Sequence, residues 1–120
     1  METTGSNEQF TTGAVRDVSA SKPRPDLISP FMLLRLGEWL RLGAERYAPR
    51  NWEQGMNVSR CWASLMRHVC KWAAGFREED HLAAIIFNAM AIVHYEEMVK
   101  RGILPESLLD MPDYGKKNET

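Results

Sequence analysis

Between Pro30 and Gly102 the apolar residues fall at helical spacing in three successive blocks. In "PFMLLRLGEWLRLGAERYA" an apolar stripe runs through Leu33, Leu36, Leu40 and Tyr47, with the small residues Gly37 and Ala44 on the same side. Ser29-Pro30 opens this helix, because serine caps and proline fits the first helical position; Pro49 ends it. A second helix starts from a cap at Asn57 or Ser59 and reaches about Ala74. Trp62, Leu65, Met66, Val69, Trp72 and Ala73 form its apolar stripe, and Gly75 terminates it. A third helix is predicted over 78–100, closed by Gly102. From Ala83 to Val93 it is apolar on every side except at Asn88, which predicts enclosure by other helices or by a partner subunit. The short link between the second and third helices makes them an antiparallel hairpin.

The remaining segments are simpler. Residues 1–22 read as a flexible polar arm and "KPRPDLISP" as extended chain up to Ser29. "ILPESLLDMPDY" is a proline-broken segment that packs back on the bundle, and 115–120 is a frayed tail. No strand pattern is visible. The expectation is one all-α domain over 23–114, a small helical bundle. A chain of 120 residues with 44% hydrophobic content suits one core. A net charge of −1 supplies no basic field for a nucleic acid polymer or an anionic membrane. No apolar run of about 18 residues and no signal-peptide pattern is apparent, so a cytoplasmic location is expected. Cys61 and Cys70, nine apart in one helix, lie on opposite sides and read as two buried thiols.

Three features carry candidate chemistry. On the second helix Arg60, Ser64, Arg67 and Lys71 follow i, i+4, i+7, i+11, with His68 beside them. This row is either a solvated face or a cradle for a polyphosphate, since guanidinium forks and ammonium charges suit phosphate oxygens. The third helix opens with Glu78-Glu79-Asp80-His81. The helix dipole alone accounts for acids in a first turn, but not for Asn88, because a buried amide needs partners. His81, Asn88 and Tyr95 recur every seven residues and share an edge, with small Ala84 and Ala91 beside it. Antiparallel pairing sets Asn88 level with Ser64 and Arg67, and His81 level with Lys71, within about one turn. The two polar rows then face one cleft, and the acids at its mouth suit Mg²⁺.

The third feature is the loop "RNWEQG". Trp52 with Arg50 and Asn51 fits either base recognition or closure of the core. Glu38, Arg41 and Glu45 on the first helix form a surface ion-pair ladder, or else Glu38 or Glu45 reaches a metal across the cleft.

The segments "TTGAVRD", "RPDLISP", "GAERYAPRNWEQGM", "SLMRHVCKW", "GFREEDHLAAIIFNAMAIVHYEE" and "GILPESLLDMPDY" resemble, in this order, a phage and bacterial family, the dATP/dGTP diphosphohydrolase N-terminal domain. The likeness covers roughly residues 10–114. It falls on Tyr47, Arg50, Asn51, Trp52, Arg67, His68, Glu79, Asp80, His81 and Asn88. This family is similar to the MazG-type all-α nucleoside triphosphate pyrophosphohydrolases, which are oligomeric and depend on Mg²⁺ or Mn²⁺. The resemblance implies hydrolysis of dGTP or dATP to the monophosphate and pyrophosphate by a homo-oligomer, dimer or tetramer.

MazG-type helices carry ExxE and then ExxD as metal ligands, whereas the second helix here is basic, so their metal site does not transfer. The expected roles are Glu79 and Asp80, with Glu38, as metal ligands. His68 or His81 takes the proton of the attacking water. Arg60, Arg67 and Lys71 neutralise the phosphates. Tyr47, Arg50, Trp52 and Asn51 or Asn88 hold base and sugar. Two rival readings remain: an HD-like triphosphohydrolase using His68, His81 and Asp80 on a metal, and a non-catalytic helical nucleotide-binding or assembly module.

Overall fold

The computed structural model describes residues 7–18 and 21–115. The three expected helices are present as α1 (Pro30–Arg46), α2 (Val58–Ala73) and α3 (His81–Lys100). Ser29 caps α1 through its hydroxyl, which accepts from the Met32 N–H at 3.3 Å, with Pro30 at the first position. Gly75 (φ +91) and Gly102 (φ +75) follow α2 and α3 in the left-handed conformation that only glycine adopts without strain.

One element was not expected. Asn7–Gln9 (β1) and Val15–Asp17 (β2) pair antiparallel, with Asn7 opposite Asp17 and Gln9 opposite Val15. Both strands are exposed on both faces, so neither carries the apolar-polar alternation that marks a half-buried strand. The rest of the expected arm lies outside the described residues, as does the tail from residue 116.

The helix α3 is the centre of the molecule, with α2 packed along it and α1 against it as well. By length and composition α3 would also suffice to cross a membrane; here its buried side chains face the other helices. Ala83, Ala84, Ala91 and Tyr95 are fully enclosed, and the small size of the three alanines lets α2 approach closely. Val58 and Cys61 meet Ala91 and Tyr95, with Trp52, Ile92 and Leu104 around them. Leu104 brings the C-terminal segment onto the core, as expected. Asp110 then accepts hydrogen bonds from the Ser59 N–H (2.8 Å), the Ser59 hydroxyl (2.6 Å) and the Asn57 amide (3.1 Å). That carboxylate caps α2, a task the Asn57 side chain leaves undone.

The face that α2 turns to α3 differs from the expected stripe. Val58 and Cys61 are buried and Ser64, Leu65 and His68 half-buried, while Trp62, Met66 and Trp72 stay exposed. On α1 only Leu36 is buried; Leu33 and Tyr47 of the predicted stripe face outward. Cys61 is buried as expected and Cys70 is exposed, which corrects the reading of two buried thiols.

Candidate functional site

The polar edge of α3 meets α2 at two levels. At the lower level the Asn88 amide donates to the Ala84 carbonyl (2.9 Å) and the Ser64 hydroxyl (3.3 Å). The predicted register of Asn88 and Ser64 is therefore observed. Both amide N–H groups are spent inside the bundle, which explains how a buried amide is tolerated there.

One level up, at the open end of the hairpin, two imidazoles meet. His68 Nδ1 lies 2.9 Å from His81 Nδ1, so one nitrogen carries the proton and the other accepts it. His81 is 1% exposed. Its other nitrogen, Nε2, is buried without a hydrogen bond: Glu78 Oε1 sits 2.5 Å away but out of line for one. Glu79 Oε1 is 3.7 Å from His68 Nδ1. His68, Glu79 and His81 each offer one donor atom, all within 4.8 Å of one another. Lys71 Nζ lies 3.8 Å from Glu78. Burial first, then the charges of His81, Lys71 and Arg67, hold the His68 pKa below its ordinary value against the opposing pull of Glu79, which keeps its ring neutral near pH 7. The Trp39 indole meets the His68 ring edge-on at 5.8 Å between centroids.

A depression of about 620 Å³ opens beside this cluster, lined by Arg35, Trp72, Arg77, Glu79, Asp80 and His81 among others. Arg77 stacks over Trp72 and donates to the carbonyls of Trp72 and Phe76.

The structure brings together His68, Lys71, Glu79, Asp80 and His81 of the expected site. It does not assemble the expected metal set. Asp80 is the N-cap of α3, not part of its first turn, and accepts from the Ala83 N–H (3.1 Å). Arg35 of α1 grips both its oxygens, at 2.6 and 3.0 Å, and this bond first of all holds the Asp80 carboxyl below the usual range. Glu38 is bound by Arg41, which also bridges to Glu45, so the surface-ladder reading is the one observed on α1. An all-oxygen Mg²⁺ site of Glu79, Asp80 and Glu38 therefore does not fit these side chains.

The expected base-recognition group sits elsewhere. Trp52 packs in the core against Phe87, His94 and Tyr95, and its carbonyl accepts from the Tyr95 hydroxyl. Tyr95 is fourteen residues along α3 from His81, roughly 21 Å at 1.5 Å per residue. Tyr47, Arg50 and Asn51 are exposed near that far end, with Arg50 paired to Glu53. Arg60 and Arg67 face solvent without hydrogen bonds or ion pairs among the described residues. Arg35 and Arg77 were missed by sequence reasoning. Arg35 is one of several charged residues on α1 and only its contact with Asp80 distinguishes it.

Residues 12–102 match the family described as dATP/dGTP diphosphohydrolase, N-terminal. The chain belongs to this family. The match spans α1, α2 and α3 and every residue of the cluster, and stops before the segment that carries Asp110. No curated protein and no solved structure matches the chain.

Proposed function

We propose that this chain hydrolyses purine deoxynucleoside triphosphates, dGTP or dATP, to the monophosphate and pyrophosphate at the open end of the α2–α3 hairpin. The observation that carries the reading is the convergence of His68, Glu79 and His81 with Lys71 and Arg77 beside one depression, in a family described by this substrate class. Lys71, Arg77 and Arg67 bind the triphosphate oxygens and take up the negative charge that grows on the departing pyrophosphate. Water adds to the α-phosphorus as the bond to the bridging oxygen of the β-phosphate breaks. Glu78, between His81 and Lys71, accepts the proton that the water gives up. A divalent cation bound at this end would polarise the phosphoryl group and make the water more acidic. The base and sugar then reach across the outer side of the depression toward Trp72, not toward the remote Trp52 loop.

The reaction is tested by incubating purified chain with dGTP, dATP and ribonucleotide controls in Mg²⁺, Mn²⁺ or Zn²⁺ and resolving the products. Pyrophosphate with the monophosphate is expected. No turnover with any nucleotide and ion would overturn the proposal and favour the non-catalytic module.

A second reading has an observation of its own: a nitrogen-rich pair, His68 with His81, resembles the donor type of HD-like triphosphohydrolases. It is distinguished by release of inorganic triphosphate with the nucleoside. In either case the chain works as a homo-oligomer in the cytoplasm, a second copy covering the apolar faces that one copy leaves open.

A further inference from the structure

We infer that His68, His81 and Glu79 form a three-donor centre for a borderline divalent metal, Zn²⁺ in particular, rather than a carboxylate site for Mg²⁺. The inference deepens the proposed reaction and rests on it for its purpose, but its geometry stands on the side chains alone.

Imidazole nitrogen selects zinc-like ions, whereas Mg²⁺ demands oxygen ligands and keeps most of its water. The carboxylates that would make a hard site are bound elsewhere: Asp80 to Arg35, and Glu38 to Arg41. What remains beside the two imidazoles is Glu79, which no arginine or lysine holds among the described residues, and two histidines with one glutamate recur in catalytic zinc sites with a fourth position left open. Zinc bonds of about 2.0–2.1 Å at tetrahedral angles place donor atoms roughly 3.3 Å apart. His68 Nδ1 lies 2.9 Å from His81 Nδ1 and 3.7 Å from Glu79 Oε1, values that straddle this figure. All three donor atoms lie within 4.8 Å of one another, and a side-chain rotation at Glu79, which is about half exposed, closes the set.

The far side of His81 supplies the supporting partner. A ligating histidine characteristically gives its second N–H to a carboxylate, which fixes the tautomer and the ring. His81 Nε2 is fully buried, lacks a hydrogen bond and has Glu78 at 2.5 Å. With His81 Nδ1 committed to an ion, a small shift of Glu78 brings that N–H into line. Glu79 points the same way, because its carboxylate approaches the imidazoles without hydrogen-bonding to either.

The test uses tag-free full chain, stripped of metal with a chelator and titrated with Zn²⁺ in the absence of nucleotide. Calorimetry is expected to show one ion per chain, and thermal unfolding to shift upward with Zn²⁺. Co²⁺ in its place should give visible absorption bands of low-coordinate cobalt. Glu79→Gln, at a half-exposed position, and His68→Asn, which keeps a polar side chain, should each weaken Zn²⁺ binding roughly tenfold or more. Circular dichroism confirms that both remain helical. Failure of wild type to bind Zn²⁺ stoichiometrically overturns the centre, as does binding that both variants leave unchanged or that millimolar Mg²⁺ displaces. Zinc binding without turnover supports the centre and sinks the reaction. Turnover in Mg²⁺ by a chain that ignores zinc does the reverse.

Discussion

Asp80 shows how one side chain changes meaning once its neighbours are known. Its place in an acidic run made it an expected metal ligand, yet it joins α1 to α3 through Arg35 and caps α3 through the Ala83 N–H. Asp80→Ala should cost about 1 kcal/mol in denaturant unfolding through the lost cap. The helix boundary decides this role, and a shift of two or three residues in that boundary separates a first-turn acid from a cap. Gly55 makes a second case. It has φ +108 and ψ 133, and an added Cβ would meet Leu108 Cδ1 at 2.9 Å and Leu104 Cδ2 at 3.3 Å. Gly55→Ala should destabilise the chain by about 1–3 kcal/mol from backbone strain, read from the midpoint of urea unfolding. Asn88 was legible as a polar insertion needing a partner, and Ser64 is one. The facing of His68 on His81 was not, because one turn of uncertainty in register covers both His68 and Lys71.

At the scale of elements, the helices were legible because their ends carry residues with a single local job: Ser29-Pro30, Gly75 and Gly102. The β1–β2 hairpin was not, since it buries neither face and so leaves no imprint on the apolar pattern. The apolar stripe of α2 predicted the helix correctly but not the direction it faces. A periodic pattern records which side is apolar, and an unsatisfied interface looks the same as a core. The junction of α2 with Asp110 yields a pH prediction. Hydrogen bonds from Ser59 and Asn57 hold the Asp110 pKa at about 2, below its ordinary 3.8. Because the folded value is depressed, the stabilisation is present above about pH 4 and is lost as pH falls through about 2. The melting temperature of wild type should therefore drop more between pH 5 and pH 2 than that of Asp110→Asn, whose melting temperature at pH 5 should already be lower.

For the molecule as a whole, one copy leaves large apolar side chains exposed. Trp62 and Met66 of α2 and Val93 of α3 present an exposed apolar surface beside a groove lined by Leu65, Ala89 and Ile92. Val93 is 65% exposed on a helix that is apolar on nearly every side. We propose a second copy of the chain as the occupant of this face. Sedimentation velocity should show a dimer or larger assembly, and Val93→Glu should shift it toward monomer. A wild-type monomer at all concentrations would refute this.

The Asp110 clasp has a practical corollary. The family match ends at residue 102, eight positions short of it. A fragment trimmed to the matched borders would start α2 with bare amides at Ser59 and lose Leu104 from against Val58 and Cys61. Such a fragment would keep every residue of the His68–Glu79–His81 cluster and still be a poor vehicle for assaying it, because the scaffold would fray from the opposite end.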